Sequence, residues 1–447
     1  MPFPSLHPSL ARALAARGYA EPTPVQSAVL AATAEERDLL VSAQTGSGKT
    51  VAFGLALAPL ILGEAQALPP ARDPLVLVIA PTRELALQVQ AELAWLYEFT
   101  GARIAASVGG MDPRREARLL AAGCHMVVGT PGRLKDHIER GHLRLDGLRA
   151  VVLDEADEML DLGFREELEF ILAAAPAQRR TLLFSATIAP EIVSLARAYQ
   201  HRALRLDTAA ANQPHADIEY RAIPVLANET EAALVNILRA QESRALIFCA
   251  TRDAVRHLHA RLLARGFAAV ALSGELSQAE RNAALAALRE GRAQLCIATD
   301  VAARGLDLPD LDLVIHADLP ASKATLLHRS GRTGRAGRKG VSVLLVPPQK
   351  RRRAEMLLRE ANATARWLPP PTPADIRARD EERLLSHPLL AAPPDEAALA
   401  LARKLLARAS PEVIAAAFAT LAEARLPAPA EITILPPEPA ARPARAP

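Results

Sequence analysis

The sequence predicts an α/β protein: two tandem parallel-sheet domains with helices on both faces, followed by a mainly helical, proline-rich C-terminal extension. Three observations predict it. Short apolar runs alternate with helical patterns over residues 1–207, and again over 217–348. Alternation at this spacing marks β-α-β units rather than hairpins. A small, polar, proline-containing stretch at 208–216 separates the two series and reads as a linker. From 349 the composition shifts: 15 of the 35 prolines fall in the last 97 residues, and no further strand series is expected there.

The strand candidates of the first series are Leu39–Ser42, Leu75–Ala80, Ile104–Val108, Met126–Gly129, Ala150–Leu153 and Thr181–Ser185. Glu84–Tyr97 and Arg114–Leu120 between them read as helices. The second series runs Ala245–Cys249, Ala268–Leu272, Gln294–Ala298, Leu313–His316 and Val341–Val346. In residues 349–435, Arg377–Leu385, Glu396–Arg408 and Pro411–Ala422 read as helices, with Ser410 as N-cap and Pro411 at the first helical position. Residues 436–447 are expected to be disordered. Ligands of open parallel sheets sit at the carboxyl ends of the strands, so motifs just after strands carry the chemistry.

Composition narrows the function. The formal net charge of the 447 residues is only +3, so a nucleic-acid contact has to come from a local stripe. The last 97 residues, with 14 basic and 12 acidic side chains, form no polybasic arm. No apolar run approaches the roughly 18 to 20 residues of a membrane span, and no secretory signal is expected from Met1-Pro-Phe-Pro-Ser5. Cys124, Cys249 and Cys296 lack metal-ligand spacing and read as buried thiols of a reducing cytoplasm.

The densest chemistry follows the first strand. Ala43-Gln-Thr-Gly-Ser-Gly-Lys-Thr50 places glycines, a lysine and a hydroxyl between a strand and a helix. Glycines let backbone N–H groups crowd around phosphate oxygens, Lys49 supplies a cation, and Thr50 offers a hydroxyl to magnesium. Asp154-Glu155-Ala156-Asp157 ends another strand. Taken alone these carboxylates are either an acidic helix start or a catalytic pair. Beside a phosphate loop the second reading is favoured, with Asp154 holding magnesium and Glu155 deprotonating the attacking water.

Residues 154–157 spell Asp-Glu-Ala-Asp, and the chain up to about 348 resembles the DEAD-box ATP-dependent RNA helicases. The motifs stand in order: Gly18-Tyr-Ala-Glu-Pro-Thr-Pro-Val-Gln26, the loop 43–50, Pro81-Thr-Arg-Glu-Leu85, Gly109-Gly110, Thr130-Pro-Gly-Arg133 and Ser185-Ala-Thr187. The resemblance implies two RecA-like domains, ATP and Mg2+ as cofactors, and RNA as partner. Gln26 carries a donor and an acceptor on one planar amide, which suits an adenine edge; in the family it selects adenine, and Phe3 resembles the aromatic that stacks on the base. Thr45, Gly46, Ser47, Gly48, Lys49 and Thr50 then hold the nucleotide. Thr82, Arg83, Gly110, Thr130 and Arg133 match positions that hold RNA phosphates. Ser185 and Thr187 match the motif that couples nucleotide to strand separation.

In the second series, His328-Arg-Ser-Gly-Arg-Thr-Gly-Arg335 crowds arginines onto a glycine-rich turn. Arg332 and Arg335 match the family's arginine fingers, and His328 matches a link to the γ-phosphate. Gly305 and Asp307 match ribose positions, and Asp300 and Arg304 the link between sites. Thr251, Gln278, Arg281 and Thr299 match further RNA-backbone positions. Ala324-Thr-Leu-Leu327 lacks the glutamate and tyrosine often found before His328, which implies altered local packing without loss of catalysis. The resemblance implies a complete site only when the domains close on ATP and RNA, and local, non-processive unwinding. An ATP-gated RNA clamp or assembly platform, and a DNA-directed motor, stay open as alternatives. The extension loosely resembles a helical dimerisation region of some bacterial members; a helical wrap on the second domain is the alternative.

Overall fold

The computed structural model describes Phe3 and residues 6–33, 36–43, 46–208, 217–241, 243–303, 311–334 and 339–435. Thr45, Arg304, Gly305, Asp307 and Arg335 lie outside the described residues, as do most of the linker and residues 436–447. The chain forms two units, described separately; the first is essentially residues 1–214.

The first unit is built on β1 (Leu39–Ser42), β2 (Val76–Ile79), β3 (Ile104–Ser107), β4 (Met126–Gly129), β5 (Ala150–Leu153), β6 (Arg180–Ser185) and β7 (Leu204–Asp207). All pairings are parallel, in the order β3-β4-β2-β5-β6-β1-β7. The four central strands are apolar on both faces because helices cover both. Val76 and Val78 enter one core with Val152, Leu182 and Phe184; Leu77 and Ile79 enter the other with Val151, Leu153 and Leu183. Strand side chains alternate, so one run of four apolar residues feeds two cores. The helix Lys49–Leu62 is apolar nearly all round and correspondingly buried.

The second unit contains β8 (Ile218–Pro224), β9 (Ala245–Phe248), β10 (Ala269–Leu272), β11 (Leu295–Ala298), β12 (Leu313–His316), β13 (Gly340–Val346) and β14 (Ala365–Trp367), in the order β10-β11-β9-β12-β13-β8-β14. Counted from its own first strand, this is the same order as in the first unit.

Every strand candidate is observed to within a residue or two at its ends, and three further strands are present. β7, with partly exposed residues, and β14, with three, are edge strands without an apolar run. β8 mixes Glu219 and Arg221 into its pattern, and these two pair with each other at 2.8 Å. β14 lies inside the region expected to be free of a strand series and pairs with β8 in register Ala365 to Tyr220. Leu326 and Leu327, from the unusual stretch before His328, fill the apolar core beneath the helix Lys323–Ser330.

The α-helices of the extension are Arg351–Glu360, which was not expected from the sequence, Pro373–Leu385, Glu396–Leu406 and Pro411–Glu423, with Ser410 capping the last through Val413 N–H. The chain then returns to the second unit. The fully buried Asn236 donates to the carbonyls of Pro371 (2.9 Å) and Ala430 (2.8 Å) and accepts from Ala430 N–H (2.8 Å). Arg239 beside it pairs with Asp380 at 2.6 Å and donates to Pro427 O. The three cysteines are free and buried, and burial pushes the Cys296 thiol up to about 12. Among the described residues, no single helix is long and apolar enough to cross a membrane.

Candidate functional site

Strand order sorts the motifs into two groups that the sequence interleaves. In the first unit β5, β6 and β1 are neighbours, and their carboxyl ends carry Asp154-Glu155, Ser185 to Thr187, and the loop leading to Lys49. The other half, β3, β4 and β2, carries Gly110, Thr130 with Arg133, and Thr82 with Arg83. The second unit repeats the division. β10, β11 and β9 lead to Gln278 with Arg281, Thr299 with Asp300, and Thr251, whereas β12 leads to the helix Lys323–Ser330, which carries His328, and to Arg332 on the turn after it.

At the phosphate loop Gly46 and Gly48 have φ of +80° and +87°. A side chain at Gly48 would also strike Gln26, whose Nε2 would lie 2.5 Å from the added carbon. Glycine is therefore required there twice over. Gln26 is fully buried; its amide donates to Gly48 O (3.2 Å) and accepts from Thr23 N–H (2.9 Å), while the Thr23 hydroxyl donates to Ser47 O. Gln26 thus braces the loop in this structure. Phe3 packs against the apolar core of the first unit.

Lys49 Nζ lies 3.7 Å from both Asp154 and Glu155, all three buried. Burial alone would push the Lys49 pKa down; the charges of Asp154, Glu155, Asp157 and Glu158 outweigh it, and the net direction is up. Asp154 is pushed up to about 6, chiefly by burial, against the pull of Lys49. Neither Lys49 Nζ nor Asp154 Oδ1 has a hydrogen-bond partner. Buried polar atoms without hydrogen bonds are costly, and a triphosphate with a hard cation would satisfy both. The donor set fits Mg2+. Thr50 and Asp154 offer oxygens, no group of three His, Cys, Asp or Glu exists among the described residues to hold a metal, and Mg2+ is normally held by one or two carboxylates plus phosphate oxygens and water.

Raising the Asp154 pKa in the folded state means the native protein binds this proton more tightly than the unfolded chain does. The stabilisation is full below the unfolded value near 3.8 and is lost as pH rises through about 6. At neutral pH the ionised group is a cost. Asp154→Asn is expected to stabilise the nucleotide-free first unit at pH 7.5 by on the order of 1–2 kcal/mol and to flatten its pH dependence between 4 and 7. Thermal unfolding in a metal chelator measures this; an unchanged or lower melting temperature would contradict it.

Glu155 adopts a left-handed backbone, φ +53° and ψ +54°, at the start of the helix Ala156–Asp161. A non-glycine residue held there carries local backbone strain. Asp157, which sequence reasoning left without a role, accepts from the Thr187 hydroxyl (2.8 Å) and from Thr187 N–H (2.9 Å). Ser185 Oγ donates to Thr187 O. The carboxylate cluster is therefore tied to the turn after β6. The signal was the fourth letter of Asp-Glu-Ala-Asp.

The RNA-matching residues are placed as follows. Thr82 and Thr251 cap helices, accepting from Leu85 and Ala254 N–H. Thr130 stands at the N-cap of Pro131–Glu139 with no side-chain cap bond. Arg83 donates to Gly109 O at 3.4 Å, and Gly110 has a left-handed backbone. Arg133 Nη1 pairs with Glu116 at 2.7 Å. Gln278 donates to Asn282, Arg281 to Ala302 O, and the Thr299 hydroxyl accepts from Ala302 N–H.

In the second unit Asp300 takes both arms of Arg329, at 2.5 and 2.7 Å. Arg329 also donates to Asp318 O, and its guanidinium lies 5.0 Å from the Phe248 ring centroid. Ser330 bonds Ser342 (2.9 Å), which bonds His316 (3.0 Å); burial, then the Arg329 charge, hold His316 well below its usual pKa. Arg329 and Ser330, the two residues preceding the Gly331–Gly334 turn, are thus fixed by a buried network. Arg332 is half-buried on that turn.

Comparison with known proteins agrees with this arrangement. The family description "DEAD/DEAH box helicase" matches residues 23–195, and "Helicase conserved C-terminal domain" matches 229–337. The chain is 37% identical over 380 residues to the DEAD-box ATP-dependent RNA helicase CshA of Geobacillus kaustophilus, covering 85% of this chain and 80% of the relative. It is 39% identical over 342 residues to the ATP-dependent RNA helicase DbpA of Bacillus subtilis, covering 76% and 70%. Among solved structures, S. cerevisiae Dbp5 bound to RNA and ADP BeF3 superposes with a TM-score of 0.74 at 27% identity, over 85% of this chain and 97% of that one. Mss116p bound to ssRNA and AMP-PNP gives 0.69 at 27%, over 81% and 76%. With its phosphate loop, paired carboxylates and duplicated parallel sheets, the chain belongs to the DEAD-box ATP-dependent RNA helicase family, whose members are RNA-dependent ATPases.

Proposed function

We propose that this protein couples RNA-stimulated ATP hydrolysis to closure of its two units, and so pulls short RNA duplexes apart locally and without processive travel. The observation that carries the reading is the cluster at the end of β5, where Asp154 and Glu155 stand at 3.7 Å from Lys49 and Asp157 holds Thr187. One strand end then serves both the phosphate and the coupling motif.

In the proposed cycle Lys49 and the backbone N–H groups of residues 45–50 hold the ATP phosphates, and Gln26 turns from the loop toward the base, with Phe3 against the ring. Glu155 takes a proton from water as its oxygen attacks the γ-phosphorus; the bond to the β-phosphate oxygen breaks, giving ADP and phosphate. Thr50 and Asp154 would hold Mg2+, which would supply charge neutralisation on the phosphate oxygens. Arg332 and Arg335 bring positive charge to the transferring phosphoryl group and His328 contacts it, while Gly305 and Asp307 hold the ribose. Thr82, Arg83, Gly110, Thr130, Arg133, Thr251, Gln278, Arg281 and Thr299 hold RNA phosphates. Ser185, Thr187, Asp300 and Arg304 connect the two sets. Backbone contact of this kind reads shape and 2′-hydroxyls rather than sequence. Because ATP and RNA both favour the closed arrangement, each strengthens binding of the other.

The test is an ATPase assay beside displacement of a duplex of about ten base pairs, roughly one helical turn. We expect stimulation by RNA and not by DNA of the same sequence, with ATP-dependent strand release. ATPase without release would favour a clamp, and equal stimulation by DNA would overturn the RNA assignment. We further propose a cytoplasmic protein that does not enter a membrane. Its helices Glu396–Leu406 and Pro411–Glu423 expose Leu401, Leu405, Val413, Phe418 and Leu421, and this apolar surface pairs with a second copy of the chain.

A further inference from the structure

Glu116 lies on the helix Pro113–Ala121, is 2% exposed, and belongs to none of the motifs discussed above. Its carboxylate gathers three donors. Oε1 accepts from Val108 N–H at 3.1 Å, the residue before Gly109-Gly110. Oε2 accepts from Arg133 Nη1 at 2.7 Å and from His137 Nε2 at 2.8 Å. A carboxylate can only accept, so His137 carries its hydrogen on Nε2. His137 is fully buried and sits one helical turn from Arg133 on the helix Pro131–Glu139, which puts both on one face. One buried carboxylate therefore joins the loop after β3 to the helix after β4.

The bonding of Arg133 gives this a direction. Nη1 makes both of its hydrogen bonds, to Glu116 and to Met111 O (3.2 Å). The Nε–Nη2 edge of the guanidinium carries none among the described residues. That edge is the one that matches a phosphate with two parallel bonds. Glu116 holds the inner nitrogen and leaves the outer edge presented.

We propose that Glu116 is a positioning residue for RNA binding: it orients Arg133 toward an RNA phosphate and fixes the Gly109-Gly110 loop beside it. This rests on the reading of Arg133 as an RNA-phosphate contact, and the variants below separate the two. A long arginine side chain loses considerable rotamer freedom on binding, and holding it in place beforehand removes that cost.

The experiment measures half-saturating single-stranded oligouridylate in the ATPase assay, across a salt series, for Arg133→Ala, Glu116→Ala, Glu116→Gln and the Arg133→Ala/Glu116→Ala double variant. Glu116→Gln keeps the side-chain volume and an acceptor for Val108, but sets an amide N–H against Arg133 and His137. We expect each single variant to raise the half-saturating RNA concentration about tenfold, the scale of one charge-assisted bond. The double variant should be no worse than Arg133→Ala by more than about twofold, because two residues acting through one contact are not additive. The slope of log affinity against log salt should become shallower by about 0.7, one phosphate contact on a single strand. The Glu116 variants should keep the wild-type KM for ATP at saturating RNA. If Arg133→Ala leaves RNA dependence unchanged, the phosphate-contact reading of Arg133 fails. If Arg133→Ala weakens RNA and the Glu116 variants do not, or bind RNA more tightly, or add fully to Arg133→Ala, the positioning role is overturned.

Discussion

Glu155→Gln is expected to yield a protein that binds ATP and RNA and fails to complete hydrolysis. The substitution keeps the shape of a side chain fixed between β5 and the helix Ala156–Asp161 and removes only its basicity. General-base catalysis contributes about 10²- to 10⁴-fold, so kcat at saturating RNA should fall by about that factor while ATP affinity stays within a few-fold. RNA should dissociate more slowly in ATP, because the step that reopens the closed state is blocked. Single-turnover ATPase and equilibrium nucleotide binding measure the two halves of this expectation. Wild-type turnover would remove Glu155 from the role of base. A loss of ATP binding equal to the loss of turnover would mean that its work is to hold Lys49, which it approaches at 3.7 Å.

Arg332→Ala should cost more. An arginine that meets the transferring phosphoryl group supplies roughly 10³- to 10⁵-fold in rate, or about 4–7 kcal/mol at 1.36 kcal/mol per decade. The loss should appear in kcat. ATP binding to the first unit, which rests on Lys49 and the glycine loop, should be largely retained. Arg332→Lys should not restore the rate, because an ammonium offers a point charge in place of a planar fork. A decrease of less than tenfold in Arg332→Ala at saturating ATP and RNA would rule out the finger role. Arg329, three residues earlier, should behave differently. Its guanidinium is occupied by Asp300 and Asp318 O, so its removal should lower the thermal stability of the second unit along with its rate.

The apolar runs were legible because a strand buried on both faces writes a continuous hydrophobic word, as Val76–Ile79 and Ala150–Leu153 do. β7 and β14 were not, because an edge strand needs one apolar face at most, and β8 was not, because Glu219 and Arg221 interrupt its apolar run. The phosphate loop and Asp154-Glu155 were legible through spacing: glycine, lysine and hydroxyl in one loop have few other uses. Burial could not be read from spacing. The fully buried Gln26 amide bonded to Gly48 O, the Glu116 carboxylate between two helices, and the Asp157 bond to Thr187 are all contacts between distant stretches. The grouping of nucleotide motifs on β5-β6-β1 and RNA-matching motifs on β3-β4-β2 follows from strand order. Chain order interleaves the two groups.

The doubly anchored Asn236 has a bearing on how the extension can be altered. Pro371 and Ala430 both present a carbonyl to the same amide nitrogen, and Asp380 and Pro427 both meet Arg239, so residues 386–426 leave and rejoin the second unit close to one place. Such an excursion behaves like a cassette: its two ends are already side by side, and changing its length adds little closure entropy. Replacing it with a short bridge that keeps residues 427–433 would preserve Ala430 and Ile432 against the core. Cutting the chain at 386 would expose that core and strand the Asn236 side chain in an apolar interior. A shortened protein that aggregates would then report a broken second unit and say nothing of what the helices at 396–423 bind.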